Sequence, residues 1–253
     1  MIKTAAGIFA HPDDAELMCA GTLVLLKKAG WDIHVATMTP GDKGTADLTR
    51  QEISRIRKEE AASSCRIINA VYHCLEFEDL YITYNRESVN RVTDLIRKIK
   101  PSVVFTASPE DYMQDHEITA SIVQAACFSS GVRNMDIETP HFEPVPHLFY
   151  SDPMEGKDKM GKTVEPSFLV DITSVFKIKE QMLSCHASQR NWLMLHHKMD
   201  EYLLAMKRFA AERGRIAGKE FAEGFRQHLG HGFPHDNILL ETIGDKIINS
   251  KTL

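Results

Sequence analysis

The chain lacks most of the features that settle a protein's class quickly. It has no run of about 18 apolar residues, so no membrane span is predicted. It has no basic excess either. The 30 Lys and Arg are outnumbered by 35 Asp and Glu, a formal net charge of −5. That balance offers nucleic acid nothing through counterion release. Cysteine is scarce: Cys19, Cys65, Cys74, Cys127 and Cys185 form an odd, scattered set with no CxxC pair. Such a set speaks against a disulfide framework or a thiolate zinc site and fits a reducing cytoplasm. The apolar stretch ahead of Asp13 and Asp14 is too short for a secretory signal. No internal repeat and no low-complexity segment is visible. A nucleotide-binding module lacks its fingerprint, because no P-loop and no GxGxxG follows the first strand-like run.

What remains is an average globular composition, 43% hydrophobic and 26% charged over 253 residues, enough to bury a core. Within it stand twelve histidines. Histidine is the commonest metal ligand and the commonest proton carrier near neutral pH.

Strand-like and helix-like stretches alternate through the first half. Apolar runs at 5–10, 32–39, 71–77 and 102–107 read as strands. Helical spacing falls between them, at 15–29, from Thr49 to about Asn69, from about Arg86 to Ile99, and from about Asp115 to Ser129. Thr49-x-x-Glu52 is a capping box for the second of these. Alternation of this kind predicts βαβ units, hence an α/β fold with a Rossmann-like, doubly wound, mostly parallel sheet. Two later strands are expected over 144–150 and 167–172, with a polar Gly/Lys-rich loop at 153–166 as lid or plain connection. From Ser174 to Arg213 the pattern is helical, with a break near Ser188. A single domain is expected over 1–253, its core at about 1–172 and a C-terminal helical extension at about 173–253.

Two motifs carry chemistry. Ala10-His11-Pro12-Asp13-Asp14-Ala15-Glu16 sits where the first strand meets the first helix. One carboxylate there would suffice as a helix cap; the second and the histidine ask for another account. Pro109-Glu110-Asp111-Tyr112-Met113-Gln114-Asp115-His116-Glu117 follows the fourth strand, where Asp115 could cap the next helix and His116 lie on the surface. In a doubly wound sheet the first and fourth strands flank the switch point, where ligands bind beyond the strands' carboxyl ends. Both motifs then face one crevice. Two histidines and a carboxylate with an open position are the makeup of catalytic zinc, or of a non-heme iron triad. The remaining carboxylate is placed to deprotonate water.

These residues resemble the PIG-L/LmbE-like zinc-dependent de-N-acetylases. The likeness extends to Thr39-x-Gly41-x-x-Gly44, Arg57-x-x-Glu60-Ala61, Ile96-Arg97, Val170-Asp171-Ile172-Thr173, Lys179, His186-x-Ser188-Gln189 and Ala222-Glu223-Gly224-Phe225. The resemblance implies that His11, Asp14 and His116 bind Zn2+, with Fe2+ or another divalent ion as alternatives. It implies that Asp13 is the general base acting on zinc-bound water, and that an acetyl group leaves an N-acetylated amino sugar or sugar conjugate. An alternative is a metallohydrolase of the same fold acting on a different amide or ester. Family members carry a histidine three residues before the last ligand, where this chain has Met113. His186, His231 and His235 are candidates to fill that gap; a surface loop or subunit contact is the plain reading for the 228–237 segment. Arg57 either binds substrate or pairs with Glu60. Asp115 is expected to orient a ligand by hydrogen bonding. His34 and His73 read as core or edge histidines, and His196 and His197 as a solvated or interface face. The implied partners are a small N-acetylated sugar-type molecule and, as relatives often assemble, copies of the same chain.

Overall fold

The computed structural model describes residues 3–190 and 201–249. His196 and His197 lie outside the described residues. The first half runs β1 (Thr4–Phe9), α1 (Asp14–Met18), α2 (Ala20–Lys28), β2 (Asp32–Thr37), α3 (Arg50–Ile67), β3 (Val71–Cys74), α4 (Arg86–Ile99), β4 (Val103–Thr106) and α5 (Gln114–Ser129). It continues with β5 (His147–Ser151), β6 (Phe168–Asp171), α6 (Phe176–Ser184), α7 (Glu201–Ala217), β7 (Ala222–Gln227), α8 (Leu240–Ile243) and β8 (Ile247–Asn249).

The strands form one eight-stranded sheet in the order β3-β2-β1-β4-β5-β7-β6-β8. The first five in that order are parallel; β5 to β7, β7 to β6 and β6 to β8 are antiparallel. β1 and β4 are neighbours, with Ala5 opposite Val103 and Ile8 opposite Thr106, so both motif-bearing loops leave the same edge. Successive side chains of a strand point to opposite faces. Ala5, Phe9, Val103 and Phe105 accordingly enter a core with α2, α6 and α7. Ala6, Ile8, Ala10 and Val104 enter a second core with α4 and α5. Burial on both faces explains why these strands read as unbroken apolar runs. No described helix is long and apolar enough to cross a membrane.

Three local features differ from expectation, each for a physical reason. The helix expected over 15–29 is broken at Cys19 into α1 and α2. Glu223, reaching over from β7, accepts hydrogen bonds from the backbone of Gly21 and Thr22, at 2.8 Å each, and from the Thr22 hydroxyl at 2.7 Å. A helix start needs acceptors for its free N–H groups, and a distant carboxylate supplies them here. Lys179 neutralises that carboxylate at 2.6 Å and donates to the Leu17 carbonyl at 2.9 Å.

The region beyond 172 holds α6 and α7 as expected, and it also returns two strands to the sheet. β7 inserts between β5 and β6, so both parts of the chain share one sheet. Its Gly224 hides it, because glycine is depleted in strands. The residue is needed there: a Cβ would fall 2.0 Å from Oδ2 of Asp152.

Arg57 is not partnered by Glu60 one turn along α3. Glu60 accepts instead from the Ser188 backbone at 2.8 Å and the Ser188 hydroxyl at 2.6 Å. The capping box of α3 is present, with Thr49 and Glu52 each bonding the other's backbone.

Candidate metal centre and cleft

Beyond Phe9 the chain turns sharply into α1. Asp13 takes up the left-handed region at φ 104°, unusual for any residue but glycine, and its side chain makes no capping bond. Asp14 braces the turn by accepting from the His11 backbone N–H at 2.8 Å. The turn aims His11, Asp13 and Asp14 together into a cleft of about 610 Å³, which His116 also lines from the start of α5.

His11, Asp14 and His116 each offer a ligand atom within 4.8 Å of the others, and all three side chains are buried. Nδ1 of His11 lies 3.4 Å from Asp14 Oδ2, and Nε2 of His116 lies 3.4 Å from Asp14 Oδ1. The two imidazole centroids are 5.4 Å apart. Each ring is held from behind. Nε2 of His11 faces Asp79 Oδ1 at 3.0 Å and Asp115 Oδ2 at 3.2 Å. Nδ1 of His116 faces Asp111 Oδ1 at 3.0 Å. A ring whose far nitrogen donates to a carboxylate presents its near nitrogen as a lone pair toward a metal. Asp115 thus braces His11, across the crevice, and Asp111 braces the neighbouring His116.

The charges point the same way. Burial alone drives a histidine down, yet at His11 the hydrogen bonds it makes to the Asp115, Asp14 and Asp79 carboxylates reverse it, leaving it well above the usual range. For His116, burial is outweighed by Asp14 and Asp111, and its pKa rises to about 10. Asp14 is held well below its usual range: burial opposes ionisation, and His116 and His11 overcome it. Five buried carboxylates, Asp13, Asp14, Asp79, Asp111 and Asp115, crowd two imidazoles and Arg57. This excess of negative charge fits a divalent cation, as does the mixed nitrogen and oxygen donor set.

Asp13 stands beside this cluster in different company. Its Oδ2 accepts from the Tyr202 hydroxyl at 2.6 Å and lies 3.4 Å from Nη2 of Arg57. Burial pushes the Asp13 carboxyl up; Arg57 pulls it down, Asp14 pushes it up again, and the net result is a raised pKa. Arg57 is buried, donates to the Pro12 carbonyl at 2.7 Å and forms part of the cleft wall.

Met113 lines the cleft, and its backbone N–H is tied to Asp111 Oδ1 at 3.0 Å. None of the three candidate histidines lies beside it in the cleft wall. His186 is buried in a layer behind Asp13, with Nε2 3.5 Å from Glu16 Oε1. His231 and His235 are exposed. Their loop packs on the α5 side through Phe233 and is held by Gln227 donating to Pro234 and Asp236 carbonyls at 3.1 and 2.7 Å. The 153–166 loop does reach the site, since Met154 and Glu155 form part of the wall. A larger surface groove of about 890 Å³ runs along α3 and β3. Its charges pair among themselves, Lys58 with Glu76 at 2.7 Å and Arg50 with Asp42 at 2.6 Å, and it holds none of the ligand cluster.

Sequence reasoning missed Asp79, Asp111 and Tyr202. Asp111 lies within the second motif, five residues before His116, and could have been found by asking what holds that ring. Asp79 and Tyr202 arrive from loops and helices whose approach no local pattern announces.

The GlcNAc-PI de-N-acetylase (PIG-L) family pattern matches residues 7–127, the segment that bears both motifs. Diacetylchitobiose deacetylase of Thermococcus kodakarensis is 28% identical over 89% of this chain and 83% of its own. The uncharacterized deacetylase YaiS of Escherichia coli is 30% identical over 49% of this chain and 68% of its own. Among solved structures, the 4-carboxy-2-hydroxymuconate hydratase GalB of Pseudomonas putida superposes with a TM-score of 0.77, covering 93% of this chain and 100% of that one at 21% identity. That last likeness concerns the fold alone. The two motifs, the sheet that joins them and these relatives place the chain in the PIG-L family of de-N-acetylases.

Proposed function

We propose that this protein is a metal-dependent hydrolase that removes the acetyl group from an N-acetylated amino sugar or sugar conjugate. The observation that carries the reading is the buried trio of His11, Asp14 and His116, open to a cleft that Asp13 shares. On this reading those three hold Zn2+, with Fe2+ as the nearest alternative. When bound, the ion supplies a Lewis acid for the acetyl carbonyl and makes water a nucleophile near neutral pH. Asp13 takes the proton from the attacking water and returns it to the departing nitrogen. Tyr202 and Arg57 fix the carboxylate for that exchange. Asp79, Asp115 and Asp111 keep the two rings oriented. Relatives named as deacetylases support the N-acetyl group as the one attacked. Five free cysteines support a cytoplasmic setting.

Met113 motivates a second reading. A thioether has no proton to give, and a departing amine needs one more than a departing alcohol does. The same centre would then act on an ester, whose leaving group is an alcohol.

The test is metal quantitation joined to an acetate-release screen over N-acetyl sugars and matched O-acetyl sugars. One ion per chain and release from an N-acetyl sugar are expected. Asp13→Asn should keep the ion and lose about a hundredfold or more in rate. A metal-replete protein that hydrolyses only the esters would move the conclusion to the second reading.

A further inference from the structure

The charged groups in the cleft wall are answered within the protein, with one exception. Asp13 has Arg57 and the Tyr202 hydroxyl, Asp14 faces both imidazoles, Asp79 faces His11, and Lys43 reaches Glu78 at 2.8 Å. Glu155 also lines the cleft, and its side chain is exposed there. Among the described residues its carboxylate has neither a hydrogen bond nor an ion pair. Its backbone lies in the left-handed region at φ 57° and ψ 12°, disfavoured for any residue with a side chain. Strain of this kind persists only where the surroundings impose it, and it gathers at functional sites.

The surroundings that impose it converge on Arg213, a buried residue of α7. Its Nε lies 2.7 Å from Asp152 Oδ2 at the start of the loop, and its Nη2 donates to the Val164 carbonyl near the end, at 3.2 Å. The guanidinium also packs on Gly156, where a Cβ would collide with Nη2. Gly156 is held from both sides, donating to the Pro153 carbonyl at 2.9 Å and accepting from the Val164 N–H at 2.8 Å. Further out, Lys159 grips both oxygens of Glu117 on α5, at 2.7 and 3.0 Å. The loop is thus pinned on either side of Glu155, and Glu155 is the carboxylate it delivers to the cleft. The trio of His11, Asp14 and His116 is buried and Glu155 is exposed, so a conjugate with its acetyl group at the trio carries its outer part toward Glu155. A fixed charge at the mouth of a cleft acts on the charge of what enters.

We propose that Glu155 sorts substrates by charge, favouring N-acetyl sugar conjugates whose outer part carries an ammonium group and turning away those that carry a carboxylate or phosphate. The inference rests on the deacetylase reading and adds to it a substrate class and the residue that selects it. An ammonium gives the unpaired carboxylate the partner that the protein withholds, and an anion meets like charge, so attraction and repulsion both widen the gap between the two classes.

The experiment uses the metal-loaded full chain and three glycosides of N-acetylglucosamine of similar size, each as both anomers: 2-aminoethyl, 2-hydroxyethyl and carboxymethyl. The readout is the ratio of kcat/KM on the aminoethyl glycoside to that on the carboxymethyl glycoside. Because the ratio is taken within each enzyme, a partly folded variant does not disturb it. Glu155→Gln should lower the ratio by about fivefold, and Glu155→Lys should lower it further. The change should fall in KM rather than kcat, since Glu155 stands away from the acetyl carbonyl, and metal content should be the same in all three proteins. The wild-type ratio should also shrink at about 1 M salt, where exposed charges are screened. The same ratio in the wild type and in Glu155→Lys overturns the selection and leaves the deacetylase reading standing. No acetate from any of the three glycosides with any metal, by the wild type, counts against the reading itself and removes the selection with it.

Discussion

Two pairs of histidines lie in neighbouring parts of the same sheet and behave in opposite ways. His11 and His116 sit past the carboxyl ends of β1 and β4, and carboxylates surround them. His34 and His73 sit on β2 and β3, their rings stacked 5.2 Å apart with Nδ1 of one 2.9 Å from Nε2 of the other. Burial outweighs the carboxylate bonds at neither ring of the first pair, and both are raised. In the second pair burial has little to oppose it. His34 is lowered by burial, with Asp32 only partly offsetting, and His73 falls to about 4 through burial and the adjacent His34. A histidine count therefore says little about chemistry. What sets the His11 and His116 rings apart from the packed pair is the carboxylate behind each of them.

That contrast can be broken in three ways. The largest effect is expected from His116→Ala, which should abolish tight metal binding and activity, whereas His73→Ala should leave metal content unchanged; metal analysis of the two purified variants decides it. Equal metal loss in both would end the distinction. Next comes Asp111→Asn, which keeps the shape and removes the charge behind His116. Outer carboxylates of this kind are worth about 10- to 100-fold in metal affinity, read by competition with a chelator.

The smallest effect concerns stability. The folded pKa of His73 is depressed below its ordinary 6.5, so the unfolded chain binds protons first as pH falls. The pair's contribution is complete above 6.5 and is lost between 6.5 and about 4. His73→Phe should flatten the fall of melting temperature over that window. An unchanged slope would show that the pair is no more buried than a surface histidine.

Much of this was legible beforehand. His11, Asp13 and Asp14 announce themselves because three ionisable groups before a helix exceed what capping requires. That β1 and β4 are neighbours follows from the doubly wound reading, and with it the meeting of the two motifs. What stayed hidden depends on chain segments far apart in sequence. Glu223 looks misplaced in a strand until Lys179 and the start of α2 are seen around it. Tyr202 reads as one apolar position in a helix, yet its hydroxyl bonds Asp13. Asp79 sits in a loop, and only the fold brings it to His11. The histidines of the 228–237 segment follow the plain reading of a surface loop, which Phe233 anchors on the α5 side.

The left-handed turn at Asp13 has a consequence for how the protein tolerates change. A side chain with φ of 104° is disfavoured where glycine would be at ease, and this one is also a buried carboxylate held above its usual pKa. The residue assigned the proton transfer is thus a burden on the fold that presents it. Asp13→Gly should give a protein that melts at a higher temperature than the parent and hydrolyses nothing. Selection for stability alone would erode this position, so its aspartate endures only as long as the reaction is needed.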